Sequence, residues 1–325
     1  MKLGIVGTGP IVREFLDALK DFEQIEFTAI CSRNPNTALE LSETWNIPYK
    51  YCSYKEMLEN KEIDTIYVAL PNSLHFQYSL EALEHHKHVI CEKPFTTTVE
   101  EAYALKKAAI NHNVMIFEAI TTRHLSNYKS VKRNLDKLGK IKIVQLDFIQ
   151  YSSRYDLFKS GETPNVFNPV YYGGALADLN IYNIHFAVGL FGRPKEVHYF
   201  PNMVRGIDTS GILIMEYEDF KCACVAAKDC HGKPSIRIQG DLGEIYIPSS
   251  ANSCDGYTLT CSGEPSYIDE NQWKSRLVEE FLDFDKMIQE KDYTSCYELL
   301  DISIEVVEVF EKARAVAGLK YGKDN

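Results

Sequence analysis

Short apolar runs and amphipathic segments alternate through the first 120 residues, and this alternation constrains the fold more than any other feature. The apolar runs are KLGIVGTG, IEFTAICSR, IDTIYVALP, KHVICEKP and VMIFEA. Between them lie IVREFLDALKDF, NTALELSETW, SLHFQYSLEALEHH and VEEAYALKKAAINH. Strands that are apolar on both faces need cover on both faces, and the intervening segments carry the apolar spacing of helices. Strand and helix in strict turn, joined by short connections, predict an α/β fold: a parallel sheet covered by helices.

Such sheets collect ligands at the carboxyl ends of their strands. Here those ends read Gly7-Thr8-Gly9, Ser32-Arg33, Pro71-Asn72, Glu92-Lys93-Pro94, and Glu118 leading on to Arg123. Lys93 is thereby expected to face a ligand crevice. The stretch GTGPIV fits G-x-G-x-x-V, with Val12 where a third glycine or an alanine is usual. The first two glycines supply a tight turn and let the backbone approach a pyrophosphate, while the third mainly sets helix–strand spacing. A dinucleotide site is expected at this turn, the plainer alternative being an ordinary strand-to-helix connection.

About 20 residues further on, an NAD site places an acid against the ribose 2'-hydroxyl. This chain offers Cys31-Ser32-Arg33-Asn34, with no acid between Phe27 and Leu39. A guanidinium and a hydroxyl suit a 2'-phosphate, so NADP is preferred over NAD; the alternative leaves Arg33 as a solvated loop charge. His85, His86 and His88 lie at the opposite sheet edge and read as a solvated helix terminus rather than a metal site.

From about Lys140 the pattern changes to successive strand-like runs: KIKIVQLDFIQYSS, EVHYFPNMV, SGILIMEYED, FKCACVAAKD, SIRIQGDLGEIYI and GYTLTC. Turns such as EDFK and GDLGE join several of them, which predicts a largely antiparallel open sheet with helices on one face. Closing helices are expected around Trp273 to Glu290 and Cys296 to Ala317. A chain of 325 residues exceeds what one core usually serves, so two domains are expected, 1–120 and 121–325. One helix interrupts the strands, GGALADLNIYNIHFAVGLFG. At about 100° per residue, Asp178, Tyr182, His185 and Gly189 share one stripe among apolar neighbours. That stripe faces either an enclosed polar pocket or a core in which Asp178 caps the helix and Tyr182 and His185 are satisfied.

A formal net charge of −11 argues against nucleic acid or an anionic membrane as partner and leaves room for a small anionic ligand in a local positive pocket. The nine cysteines are scattered without a C-x-x-C pair, as in a protein with reduced thiols. Cys222 and Cys224 share a strand face, and no nearby pair completes a four-ligand metal set. No signal peptide precedes the strand that starts near Lys2, and no apolar run reaches membrane-spanning length, so a cytoplasmic protein is expected.

CEKP followed by GGALADLNIY gives the chain a resemblance to the Gfo/Idh/MocA oxidoreductase family. It extends over essentially the whole length: glycine turn, LPNSLH, EKP, the GGxxxD helix and the final sheet. The resemblance implies a Rossmann domain followed by an α+β domain with a largely antiparallel open sheet. It implies Lys93, Asp178 and Tyr182 as the catalytic residues, and a small-molecule substrate held by these three and His185. The implied cofactor contacts are Gly7, Thr8, Gly9, Pro10, Ile11, Ser32, Arg33, Leu70, Pro71, Asn72, His75, Glu92 and Lys93. EAITTR resembles the EAxWxR segment of the dihydrodiol dehydrogenase branch, which brings Glu118 and Arg123 to the nicotinamide. Thr121 replaces that branch's tryptophan, and Asn180 replaces a common glycine.

The implied activity is NAD(P)-dependent oxidation of a secondary alcohol, or reduction of the carbonyl, in a sugar-like or polyol molecule. A hydride leaves carbon while Lys93 and Tyr182 share the proton leaving oxygen, and Asp178 holds Lys93 or the substrate. Pro94 stiffens the strand exit that carries the amine. The alternatives are a trans-dihydrodiol dehydrogenase-like activity on cyclic diols and a non-catalytic NAD(P)-binding regulator. A homodimer formed through the C-terminal sheet is also implied.

Overall fold

The computed structural model describes residues 1–322. It forms two compact units, Met1–Ala119 with Glu280–Ile304, and Ile120–Glu279 with the chain from Glu305 onward.

The first unit runs β1 (Lys2–Val6), α1 (Pro10–Leu19), β2 (Glu26–Cys31), α2 (Pro35–Thr44), β3 (Tyr49–Tyr51), α3 (Tyr54–Leu58), β4 (Thr65–Val68), α4 (His75–Glu84), β5 (His88–Glu92), α5 (Val99–His112) and β6 (Ile116–Ala119). All six strands are parallel, in the order β3-β2-β1-β4-β5-β6. Local sequence fixes the helix starts. Pro35 stands at the head of α2 behind the Asn34 cap, whose side chain accepts the Asn36 N–H. Thr98 caps α5 by accepting from the Glu101 N–H, and Asn113 ends that helix in the left-handed region at φ 54°.

Ile5, Ile30, Ile66, Val68 and Ile90 are wholly buried, each worth about 1.5–3 kcal/mol on transfer from water. Aromatic rings finish the core. Phe15 lies 4.9 Å from Tyr67 and 4.5 Å from Phe281, and Phe117 stacks 4.7 Å from Phe284. The last two partners come from α9 (Leu277–Glu290), which the chain reaches only after traversing the second unit.

The second unit holds α6 (Ser126–Asn134), β7 (Ile141–Ile149), α7 (Tyr155–Lys159), α8 (Ile181–Phe191), β8 (Glu196–Val204), β9 (Ile207–Glu216), β10 (Lys221–Ala227), β11 (Ser235–Gly240), β12 (Gly243–Ile247), β13 (Tyr257–Cys261) and β14 (Glu264–Ile268). Its eight strands follow the order β14-β13-β12-β11-β7-β10-β9-β8, antiparallel except for the pair β7–β10. Strand alternation sorts the two faces: Val144, Leu146, Cys222, Cys224, Leu213 and Met215 are buried, while Ile143, Phe200 and Ile212 are exposed. The two cysteine sulfurs lie 3.8 Å apart within the buried face, where they act as apolar filler.

Helix α8 lies over that buried face. Asn180 Nδ2 donates to the Cys224 carbonyl, and Asn183 Nδ2 donates to the Val225 carbonyl and to Asn180 Oδ1. These two asparagines, exceptions in an apolar stretch, therefore bind the helix to its sheet. A long last helix, α10 (Tyr293–Ala317), contributes residues to both units. Among the described residues no helix is long and apolar enough to cross a membrane.

Three differences from the sequence expectation have physical causes. The three-residue β3 and the exposed β14 lack an apolar alternation to reveal them. GGALADLNIYNIHFAVGLFG is not one regular helix, because Leu176–Asn180 forms a π-helical turn before α8. A constant 100° per residue therefore does not describe the segment bearing Asp178, where the backbone winds more widely. His88 belongs to β5 rather than to a solvated helix end, and its Nδ1 accepts the Met115 N–H at 2.9 Å.

Candidate active site

Strand register brings the expected residues of the first unit to one edge of the sheet. Val6 pairs with Cys31 and Val68, Val68 pairs with Cys91, and Glu92 pairs with Ala119. The loops that follow these ends carry Gly7 to Ile11, Ser32 and Arg33, Leu70 to Asn72, and Glu92 to Pro94.

The segment around Lys93 is fastened from three elements. Tyr67 Oη donates to Glu92 Oε1 at 2.6 Å, and the Lys93 N–H donates to Glu92 Oε2 at 3.3 Å. His75 Nδ1 lies 2.9 Å from the Pro94 carbonyl oxygen while its Nε2 lies 2.8 Å from that of Leu70. Glu118 Oε1 accepts the Phe95 N–H at 3.0 Å. The Lys93–Pro94 peptide bond is cis. Tyr67, His75 and Glu118 are all buried, so the braces are shielded from water while Lys93 itself is half-exposed. Burial draws the His75 imidazole toward its neutral form, against the pull of the two carbonyls.

The two glycines of the turn have separable reasons. Gly7 has φ +116°, and a Cβ there would lie 2.1 Å from the Ala69 carbonyl oxygen, so the fold itself demands glycine. Gly9 has φ −70° and ψ 176°, which any residue adopts. Among the described residues nothing lies within 4 Å of a Cβ built on it. The protein's own packing gives no reason for a glycine there, whereas a pyrophosphate approaching the head of α1 does. The cradle thus fits a dinucleotide. Thr8 and Ile11 are half-exposed beside it, Pro10 is the first residue of α1, and Val12 is wholly buried.

At the end of β2, Ser32 Oγ accepts the Asn34 N–H at 3.2 Å, and Arg33 is exposed. Pro71 and Asn72 are half-exposed at a short turn leading into α4.

Arg123, Asp178, Tyr182 and His185 fall in the second unit. Asp208 sets the start of the π turn that bears Asp178: its Oδ2 accepts the Leu176 N–H at 2.7 Å. The same carboxylate takes hydrogen bonds from Tyr199 Oη at 2.8 Å and Tyr321 Oη at 2.7 Å. Burial pushes its carboxyl upward, opposed by those donors. Tyr182 is 7% exposed, with its ring 5.7 Å from that of Phe148. Arg123 and His185 are buried.

Asp178 has a partner that the motifs did not indicate. Lys228 Nζ donates to its Oδ2 at 2.5 Å. Lys228 ends CACVAAK, and the signal available in sequence was a lone lysine closing an apolar strand. The loop before Asp178 was equally illegible. Arg205 holds it, donating to the carbonyls of Gly161 at 2.9 Å and Glu162 at 3.0 Å with its guanidinium 4.5 Å from the Phe158 ring centre.

Comparison with known proteins identifies the family. A family model described as an oxidoreductase family with an NAD-binding Rossmann fold matches residues 1–120, and that of the Gfo/Idh/MocA C-terminal domain matches residues 129–246. The scyllo-inositol 2-dehydrogenase (NADP(+)) of Bacillus subtilis is 31% identical over 325 residues, covering 100% of this chain and 99% of that one. Trans-1,2-dihydrobenzene-1,2-diol dehydrogenase of Danio rerio is 28% identical over 259 residues, covering 77% of this chain and 75% of that one. The 3-ketoreductase KijD10 of Actinomadura kijaniata, solved with NADP and TDP-benzene, shares the fold at TM-score 0.85 and 20% identity, covering 97% of each chain. The chain belongs to the Gfo/Idh/MocA oxidoreductase family.

Proposed function

We propose that this protein is an NADP-preferring oxidoreductase that interconverts a secondary alcohol and its ketone in a neutral polyol or sugar-like molecule. The observation that carries this reading is the open cradle at Gly9, on the same sheet edge as the braced Lys93. Full-length similarity to an NADP-dependent scyllo-inositol dehydrogenase supports the substrate class. The turn Gly7 to Ile11 holds the diphosphate, and Ser32 and Arg33 hold the 2'-phosphate. Leu70 to Asn72, Glu92, Glu118 and Arg123 complete the cofactor contacts, with His75 bracing them.

The bound nicotinamide supplies the hydride acceptor. The alcohol oxygen releases its proton to Lys93 and Tyr182, a shared positioned base of the kind that accelerates such steps about 100- to 10,000-fold. Asp178 and His185 hold neighbouring hydroxyls. The test is a screen of scyllo-inositol, myo-inositol, D-xylose and cyclic diols with NADP and with NAD, followed by absorbance of the reduced nicotinamide. Turnover of a polyol with NADP supports the proposal. Turnover of cyclic diols alone would move the substrate to the dihydrodiol class. Tight NADPH binding with no turnover of any of these would favour the non-catalytic regulator.

The assembly is a homodimer joined through the open face of the second-unit sheet. Phe200 and Ile212 face each other across adjacent strands there and are 63% and 45% exposed, an apolar patch of the sort that marks an interface. Nine free thiols favour a reducing, cytoplasmic setting.

A further inference from the structure

The geometry points to Lys228 as a positioning residue that sets Asp178 for the reaction, an inference that rests on the oxidoreductase function proposed above. Lysine is almost never fully buried unless paired, and Lys228 is 1% exposed. Its ammonium lies between three groups of the second unit: Asp178 Oδ2 at 2.5 Å, the Val166 carbonyl oxygen at 3.0 Å, and the face of Phe167 with the ring centre at 4.7 Å.

Access to the two partners is unequal. The side chain of Lys228 is 2% exposed and that of Asp178 is 30% exposed. The ammonium therefore stands behind the carboxylate, and an arriving molecule meets Asp178 first. A carboxylate with its counter-charge behind it offers acceptor lone pairs to a neutral hydroxyl without presenting a bare negative charge.

The backbone around the pair is fixed as well. The Lys228 N–H donates to the Thr209 carbonyl at 2.8 Å, one residue from the Asp208 carboxylate that holds the head of the π turn. Lys228, at the end of β10, thus joins two elements that lie 62 and 50 residues earlier: the 164–168 loop, through Val166, and the π turn, through Asp178. Its expected role is to fix the direction of the Asp178 carboxylate and to hold the loop against it.

A purely structural lysine would make the same contacts, so the test reads coupling. Turnover of scyllo-inositol, or of the best polyol in the screen, is measured with NADP for the parent, Lys228→Met, Asp178→Asn and the double variant. Lys228→Met should lower kcat at least tenfold with the NADPH dissociation constant within threefold of the parent. The double variant should be no slower than Asp178→Asn, since the lysine acts through the carboxylate. Losses that multiply in the double variant, or a Lys228→Met protein within twofold of the parent kcat, would overturn the inference.

A second measurement needs neither turnover nor a stable Lys228→Met protein. The carboxyl carbon-13 resonance of Asp178, assigned by its loss in Asp178→Asn, should move in Lys228→Arg and stay in place in Lys233→Met, which alters an exposed lysine of the same loop. An unmoved resonance in Lys228→Arg would overturn the inference. A parent that turns over no polyol would count against the proposed function alone, and the resonance would still test whether Lys228 sets the Asp178 carboxylate.

Discussion

Replacing each glycine of the turn by alanine separates the requirements of the fold from those of the cofactor. At Gly7 the added methyl carbon would lie 2.1 Å from the Ala69 carbonyl oxygen and 2.8 Å from its carbon, with φ at +116°. Both obstacles are backbone, so no rotamer change relieves them. A side chain held in that backbone region costs about 1–3 kcal/mol, and forcing an atom into packed structure costs about 1–3 kcal/mol more. The expected loss of roughly 2–6 kcal/mol is a large share of the roughly 5–15 kcal/mol that keeps a protein folded. At Gly9 the methyl meets nothing within 4 Å among the described residues, so stability should change by less than about 1 kcal/mol. That methyl would instead occupy the path of the pyrophosphate and weaken NADPH by tenfold or more, about 1.4 kcal/mol. Thermal melting by circular dichroism and NADPH titration by fluorescence separate the two effects. A Gly7→Ala protein as stable as the parent, or a Gly9→Ala protein that binds NADPH as tightly, would refute the reasoning.

Arg33→Ala should remove a charge-assisted contact worth about 1.5–3 kcal/mol, weakening NADPH roughly 10- to 100-fold and NADH by far less; equal losses in fluorescence titrations would end the 2'-phosphate role. Burial lowers the proton affinity of His88, whose Nδ1 needs its lone pair to accept the Met115 N–H. The unfolded imidazole therefore takes up its proton at a higher pH, near 6.5, than the folded one. Stability should rise with pH through the window just below 6.5, and a His88→Asn protein whose melting profile from about pH 5 to 7 has the parent slope would contradict this. Sedimentation should show a dimer at micromolar concentration that Ile212→Glu converts to a monomer, and a monomeric parent would remove the sheet-face interface.

The first unit was legible because continuous apolar runs and amphipathic stripes alternate along it. Strand runs such as TAIC and TIYV are buried on both faces, and the helices between them show one apolar stripe each. Register then fixes where the strand ends lie, and it puts Lys93 and the glycine turn at one edge, as the sequence pattern alone indicates. The braces of Lys93 were less accessible. Glu92 and His75, implied as cofactor contacts, also brace the segment: Glu92 bonds Tyr67 and His75 spans two carbonyls. Neither use leaves a trace in residue spacing.

In the second unit the strands EVHYFPNMV and KCACVAA were read nearly to their ends, because one covered face leaves a period of two. No propensity distinguishes the π turn from α-helix; its head is tied to Asp208, 32 residues beyond Leu176 in the chain. Lys228 was missed for the same reason, its partner Asp178 being 50 residues earlier.

In the proposed function Lys93 takes part in proton transfer and does not merely anchor the cofactor. The direct test is the turnover number of Lys93→Ala on the best polyol, measured beside its NADPH affinity. The expected result is a folded protein that binds NADPH within a fewfold of the parent and has lost about a hundredfold or more in kcat, the scale of a missing positioned acid or base. A Lys93→Ala protein that turns over the polyol at close to the parent rate would contradict it.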